Sequence, residues 1–445
     1  MMEEQRVIDS RKSQIMNDFL LPLRDKSELL QRRRYPEKDL RPRVDGEFQR
    51  DYTRILYASS FRRLQGKMQL FAVQSDQFIR NRLTHSLEVA QIARSIADNL
   101  GYDKSEQYVV EACALAHDIG NPGYGHAGER FLNDMCKKFG GFEGNAQTFR
   151  ILTTVEQKRY EFQGLNLTYR TLLGVLKYFN RFENGKNKKF IYDEDYDFVQ
   201  RIVEETGVSL RTLDVQIVDL ADEIAYAAHD LEDGLRIGFL NVDEVLHDFC
   251  NMIEDPIAQK KLEEIFEDSK QKGGFRMANV DSSEYTKLYR KEISSKIINT
   301  LISDIGIVEL DDEQKSEHGP SRKYEIGFEN YGKLAAGLKS TIYNCVTHQN
   351  DVYAYENEGN YMMKALFDFY IHEPSYLPPE YRADIIKKQY PTSYEKIDSD
   401  MLQKRLAVDY ISGMMDEYVK SSFHKLNHVM KAVKELENFK GRKNE

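Results

Sequence analysis

Chemistry in this 445-residue chain concentrates in a few histidines and acids. The most informative stretch is Ala116-His117-Asp118-Ile119-Gly120-Asn121-Pro122. An adjacent His-Asp pair, where a helix gives way to a Gly/Pro turn, can aim an imidazole nitrogen and a carboxylate oxygen at one point. That is the mixed N/O shell of a borderline divalent metal. A dipeptide alone is commonly no more than a buried His bonded to its neighbouring acid, so the companions decide. His85 opens a helical pattern 32 residues upstream, enough for a helix, a turn and a second helix returning antiparallel. Asp222 lies in Leu220-Ala221-Asp222-Glu223-Ile224, among apolar neighbours where an unpaired carboxylate is costly. His126 and Glu129 follow the pair at the start of the next helix, three residues apart and hence on one face, so that Glu129 can orient His126 and raise its basicity.

The order His, then His-Asp, then a distant helical Asp resembles the HD phosphohydrolase superfamily, and within it the deoxynucleoside triphosphate triphosphohydrolases of the bacterial dGTPase type. The matching stretches are Asp51–Ile55 with Phe61–Gln65, Asn81–Val89, His117–Glu129 and Ala221–Tyr226, within about 51–235. The resemblance implies that His85, His117, Asp118 and Asp222 hold one divalent cation (Mg, Mn or Co), and that His126 is the catalytic imidazole with Glu129 beside it. It implies further that the Tyr226 ring packs where a 2′-hydroxyl would sit and that Asp230 accepts from the 3′-hydroxyl. Gln69 would read the same hydroxyl, Leu70 would lie near sugar and base, and Arg82 would bind phosphate. The i, i+4, i+8 spacing of Asp222, Tyr226 and Asp230 agrees, since it lines one helical ridge. Two positions depart from the family. Gly123 stands where relatives often carry a second Pro, which is expected to loosen the loop presenting His126, and Tyr124 replaces the usual Phe.

The activity so implied is hydrolysis of a dNTP, dGTP foremost, by water attack at the α-phosphorus, giving deoxynucleoside and tripolyphosphate. His126 would either activate the water or protonate the departing 5′-oxygen. Two alternatives stay open. One is a 5′-nucleotidase or guanosine tetraphosphate hydrolase, distinguished by releasing phosphate or pyrophosphate. The other is a nucleotide sensor or single-strand nucleic-acid binder with a structural metal. Gly123-Tyr-Gly125-His-Ala-Gly128 matches GxGxxG but follows a helix rather than a strand, so a dinucleotide fold is rejected, and no GxxxxGK[ST] loop exists. Only His126 lies between 118 and 222, which favours one metal over two.

The elements that must position these residues are mostly helical: few segments alternate with period two, and only 10 Pro and 26 Gly punctuate the chain. The spacing predicts helices over 83–100, 105–117 (Ser105 as N-cap), 126–139, 145–157 and 168–180, and one of about seven turns from 209 to 235. A hairpin is expected from 305–310 and 324–328 across a polar turn, followed by helix from 330 onward. The expected organisation is an arm over 1–45, packing on the core or on a neighbouring subunit, a metal-dependent core over 46–240 and a helical C-terminal region over 241–445. Within the last, Lys333, Lys339, Tyr343, His348, Tyr353, Tyr361 and Lys364 are candidates for a base pocket or a regulatory nucleotide site. The resemblance implies a homo-oligomer open to activation by a second nucleotide. The net charge, 63 basic against 73 acidic residues, is −10 and argues against a general duplex-DNA binder. No apolar stretch approaches a membrane span, and Cys113, Cys136, Cys250 and Cys345 form no CxxC pair, so reduced thiols in a cytoplasmic protein are expected.

Overall fold

In a computed structural model, residues 10–37, 41–71, 79–183, 188–277, 279–319, 323–347, 350–395 and 397–441 are described. The helices that build the site are numbered α1 (Gly46–Leu56), α2 (Arg82–Asn99), α3 (Lys104–Ala116), α4 (Gly125–Cys136), α5 (Gly144–Arg150), α6 (Tyr169–Val175), α7 (Leu213–Ala225), α8 (Leu231–Ile237), α9 (Gly332–Thr347), α10 (Asn350–His372), α11 (Ser399–Ser412) and α12 (Asp416–Gly441). Helix α3 is the centre: α1, α2, α6 and α7 all pack on it, and α7 also packs on α2. Its Val109, Val110 and Ala112–Ala116 are buried all round, as expected of a helix without a solvent face.

Both α2 and α3 begin with reciprocal capping boxes, Asn81 with Thr84 and Asp103 with Glu106. The cap of α3 is thus Asp103, not Ser105, whose hydroxyl donates to the Asp45 carbonyl instead. The segment from 168 stops being helical after Val175, shorter than expected, so Lys177 and Tyr178 leave the helix. Likewise α5 ends at Arg150 and passes into a π-turn, Ile151–Val155. The long helix starts at Leu213 rather than 209, because Arg211 takes a left-handed φ of 56°. It also carries a π-turn, Tyr226–Asp230, between α7 and α8. An inserted residue of this kind shifts the helical face and recurs at functional sites.

Strands β1 (Ile305–Glu309) and β2 (Tyr324–Phe328) pair antiparallel, with Ile307 opposite Ile326. They are joined through a short helix, Asp312–His318, and not through a polar turn alone. The hairpin braces α7: Glu325 accepts from the Arg211 guanidinium at 2.7 Å, and the Ile326 amide donates to Gln216 on α7 at 2.9 Å. The N-terminal segment buries Ile15, Phe19, Leu20, Leu23 and Leu30 in the same core. A second apolar cluster joins Tyr124, Leu132, Cys136 and Phe142 to residues of α10, α11 and α12, so the C-terminal region holds α4 from outside. Among the described residues no helix is long and apolar enough to cross a membrane.

One buried ion network fixes α7 against α3. Arg170 on α6 bonds both oxygens of Asp214 (3.0 and 3.1 Å) and Glu106 (3.1 Å), and all three are buried. Removing one member of such a set leaves an uncompensated buried charge. Arg170→Met is therefore expected to cost about 3–5 kcal/mol in a denaturant titration, and loss within the scatter of surface variants would refute this reading.

Candidate active site

Helices α2, α3 and α7 converge at their mutual contact, and each brings part of one polar cluster. His85 comes from the first turn of α2, His117 and Asp118 from the end of α3, and Asp222 from the last turn of α7. The turn after Asp118 is closed by Gly120, where a Cβ would lie 2.2 Å from the Gly144 carbonyl, so no side chain fits against α5. Thr148 on α5 donates to the His117 carbonyl (3.1 Å) and accepts from the Gly120 amide (2.9 Å).

His85 Nε2 lies 3.0 Å from Asp222 Oδ1. His117 Nδ1 donates to the Ala114 carbonyl at 2.6 Å, which leaves Nε2 as the ligating nitrogen. That Nε2 is buried without a hydrogen-bond partner and faces Asp118 Oδ1 at 3.5 Å and Asp222 Oδ1 at 3.6 Å. His85, His117 and Asp118 can offer ligand atoms all within 4.8 Å of one another. An orphaned imidazole nitrogen between carboxylate oxygens is the donor set a divalent cation requires.

The electrostatics are severe. Burial opposes charge on both acids, yet Arg82, His117 and His85 outweigh it at Asp118 and bring its carboxyl to about 2. At Asp222 burial is again outweighed, here by the two imidazoles, and the shift is well below the usual range. Burial works against the charged form of His117 too, but Asp118 and Asp222 raise it from 6.5 to about 9. Arg82 is almost wholly buried and donates to Asp118 Oδ2 at 2.6 Å. It is not among the residues that line the two cavities described below, and its guanidinium lies against Asp118.

Two cavities meet beside the cluster and share His126, Tyr226 and Lys339. The first, about 240 Å³, is lined by His117, Asp118, Asp222 and Glu129 and by Asn145, Lys177, Tyr178 and Lys189. The second, about 310 Å³, is lined by Gln69, Leu70, Asp230, Ser340, Ile342 and Tyr343 besides the shared three. Gln69 and Asp230 are buried there; both side-chain polar atoms of Gln69 and Oδ2 of Asp230 lack partners. Burial, then the nearby Asp233, push the Asp230 carboxyl well above the usual range. His126 is half exposed, with Nδ1 3.5 Å from Glu129 Oε2, while Glu129 Oε1 accepts from the Gly144 amide at 2.9 Å. Burial opposes the Glu129 charge, but the His126 bond and Lys189 bring it to about 2.

Of the C-terminal candidates, Lys339 and Tyr343 reach the cavities, and Lys339 Nζ stands 4.7 Å from the Tyr226 ring centre. Lys333 pairs with Asp255 and Lys364 with Asp368, and Tyr353 and Tyr361 are exposed; His348 lies outside the described residues. Sequence reasoning missed Asn145, Lys177, Tyr178 and Lys189. The run 177–189 is rich in basic and amide residues, but only the break after Val175 turns it to the cavity.

The raised His117 has a measurable consequence. Its proton stabilises the metal-free fold, a contribution fully present below pH 6.5 and lost as pH rises through about 9. A cation must displace it, so Mn²⁺ binding at about pH 7.5 should release close to one proton and tighten as pH rises. Calorimetry in buffers of different ionisation enthalpy reads the proton count, and binding without release would refute the assignment.

Residues 82–227 match the HD domain family, and residues 329–425 match the phosphohydrolase-associated domain. Deoxyguanosinetriphosphate triphosphohydrolase-like protein 2 of Vibrio cholerae is 42% identical over 403 residues, covering 89% of this chain and 92% of the relative. A deoxyguanosinetriphosphate triphosphohydrolase-like protein of Leptospira interrogans is 32% identical over 386 residues (85% and 89%), and one of Shewanella sediminis is 31% identical over 436 residues (87% and 93%). With the polar cluster lying inside the HD match, the chain belongs to the deoxyguanosinetriphosphate triphosphohydrolase-like family of HD-domain phosphohydrolases.

Proposed function

We propose that the protein hydrolyses a deoxynucleoside triphosphate, dGTP foremost, at the α-phosphorus, releasing deoxynucleoside and tripolyphosphate. One observation carries this reading: a buried amide and a buried carboxyl with unpaired polar atoms, Gln69 and Asp230, line a cavity that joins the His-Asp cluster. Unsatisfied buried groups are costly, and a ligand hydroxyl bonded by both relieves that cost. A sugar hydroxyl of the substrate fits this description. Tyr226 lines both cavities, and its ring would pack against the sugar. The names of the relatives support a guanine base.

His85, His117, Asp118 and Asp222 would hold a divalent cation, which supplies Lewis acidity at the α-phosphoryl group. The chain's own residues do the rest. Lys177 and Lys189, held by Asp219 and Glu143 at 3.0 and 2.9 Å, line the first cavity and would donate to phosphate oxygens there. Glu129, anionic across the working range and tied to the Gly144 amide, holds His126 in place, so that the imidazole can carry a proton at the reacting centre.

The test is chromatographic separation of products from the four dNTPs, singly and in pairs, with Mg²⁺, Mn²⁺ and Co²⁺. Tripolyphosphate is the expected product; phosphate or pyrophosphate would point to the other HD hydrolases, and activation by a second nucleotide shows in the paired reactions. His126→Ala should lower kcat by roughly 10²- to 10⁴-fold while metal binding persists, and unchanged turnover sinks that role. Gln69→Ala and Asp230→Ala should each narrow the preference for dGTP over its 3′-deoxy analogue. An intact preference in both would remove them from the sugar site.

A further inference from the structure

Several segments carrying proposed site residues meet at a carboxylate that belongs to none of them. Asp416, the first residue of α12, is buried. Its Oδ2 accepts from the Met68 amide and its Oδ1 from the Tyr124 amide, each at 3.1 Å. Met68 immediately precedes Gln69, and Tyr124 stands two residues before His126. The Tyr124 hydroxyl donates to the Asp416 carbonyl and the Tyr355 hydroxyl to Oδ2, again at 3.1 Å. The neighbouring Lys67 completes the junction: its Nζ donates to the carbonyls of Asn121 (2.5 Å) and Ser412 (2.8 Å), and its own carbonyl accepts from the Arg82 amide at 3.2 Å.

Two features show that the loop is fitted around this carboxylate. A Cβ at Gly123 would lie 2.8 Å from Asp416 Oδ1, so the small residue makes room for the carboxylate rather than loosening the loop. Tyr124 takes a left-handed φ of 61°, followed by Gly125 at 59°. A tyrosine stays there only when its surroundings hold it, and here both its amide and its hydroxyl are held by one residue.

We infer that Asp416 is a positioning residue for the reaction proposed above, one carboxylate that fixes the separation between the His126 imidazole and the Gln69 amide. The inference rests on the roles given to those two residues. Each oxygen holds one backbone strand, so losing either acceptor lets the proton-transfer group and the sugar-reading group move independently. Misplacement of about 1 Å at a reacting centre costs up to about 10²-fold in rate.

Asp416→Asn keeps the volume but turns one acceptor into a donor facing an amide N–H. The expected result is a fall in kcat for dGTP of roughly 10- to 100-fold, a smaller change in KM, and a reduced preference for dGTP over its 3′-deoxy analogue. Tyr355→Phe, which keeps both tethers, should retain near wild-type kcat and preference. Gly123→Ala, pressing on the same oxygen, should reproduce the Asn variant's defect, and the two together should be less than additive. Hydrogen exchange gives a readout independent of turnover: Asp416→Asn should lose protection jointly in peptides covering 64–70 and 120–128 while the rest of the chain keeps it. Wild-type kcat and preference in Asp416→Asn, or protection lost throughout the chain, would overturn the inference. If the wild-type protein turns over no dNTP, the proposed function falls, and the exchange pattern alone decides whether the tether exists.

Discussion

Asp118 and Asp222 lie on either side of one imidazole nitrogen inside a helical core, and two carboxylates cannot share such a place without positive charge between and behind them. His117 stands between, and Arg82 stands behind with its guanidinium on Asp118, while His85 Nε2 meets Asp222 at 3.0 Å. Three helices must therefore keep their relative depth to within a fraction of an ångström. The surrounding structure serves that requirement: capping boxes fix where α2 and α3 begin, Arg170 locks α7 to α3, and Arg211 with Glu325 holds the far side of α7. A divalent cation is the natural completion of this arrangement, since it replaces a proton with a larger charge where opposite charge is already assembled.

The cluster was legible in the sequence because its members are distinctive residue types at the ends of strongly periodic segments. His85, His117, Asp118 and Asp222, the set the resemblance implies, lie together where α2, α3 and α7 converge, and Tyr226 and Asp230 share a cavity despite the π-turn that the 3.6-residue period does not reveal. Helix ends were read less well. Ser105 looked like a cap, but Asp103 with Glu106 satisfies more amides. The helix expected to reach 180 stops at Val175, which is what frees Lys177 and Tyr178.

Other features had no local signal. Lysines that line the first cavity look like any solvated lysines until the backbone turns them inward. Gly123 read as a source of slack because only its own flexibility is visible in a sequence; the carboxylate that occupies the space left by its missing side chain comes from nearly three hundred residues away. Asp416 itself is an unremarkable acid at a helix start, and its role depends on which distant amides it meets.

That separation also has a meaning in time. All four residues of the polar cluster lie between 85 and 222, so they can assemble once the first half of the chain has left the ribosome, whereas the partner of the Tyr124 amide is 292 residues further on. At roughly 5–20 residues per second of synthesis, some tens of seconds separate the two events. The four cluster residues therefore leave the ribosome well before the carboxylate that fastens the loop beside them, and it is that later residue which gives the assembled side chains fixed dimensions.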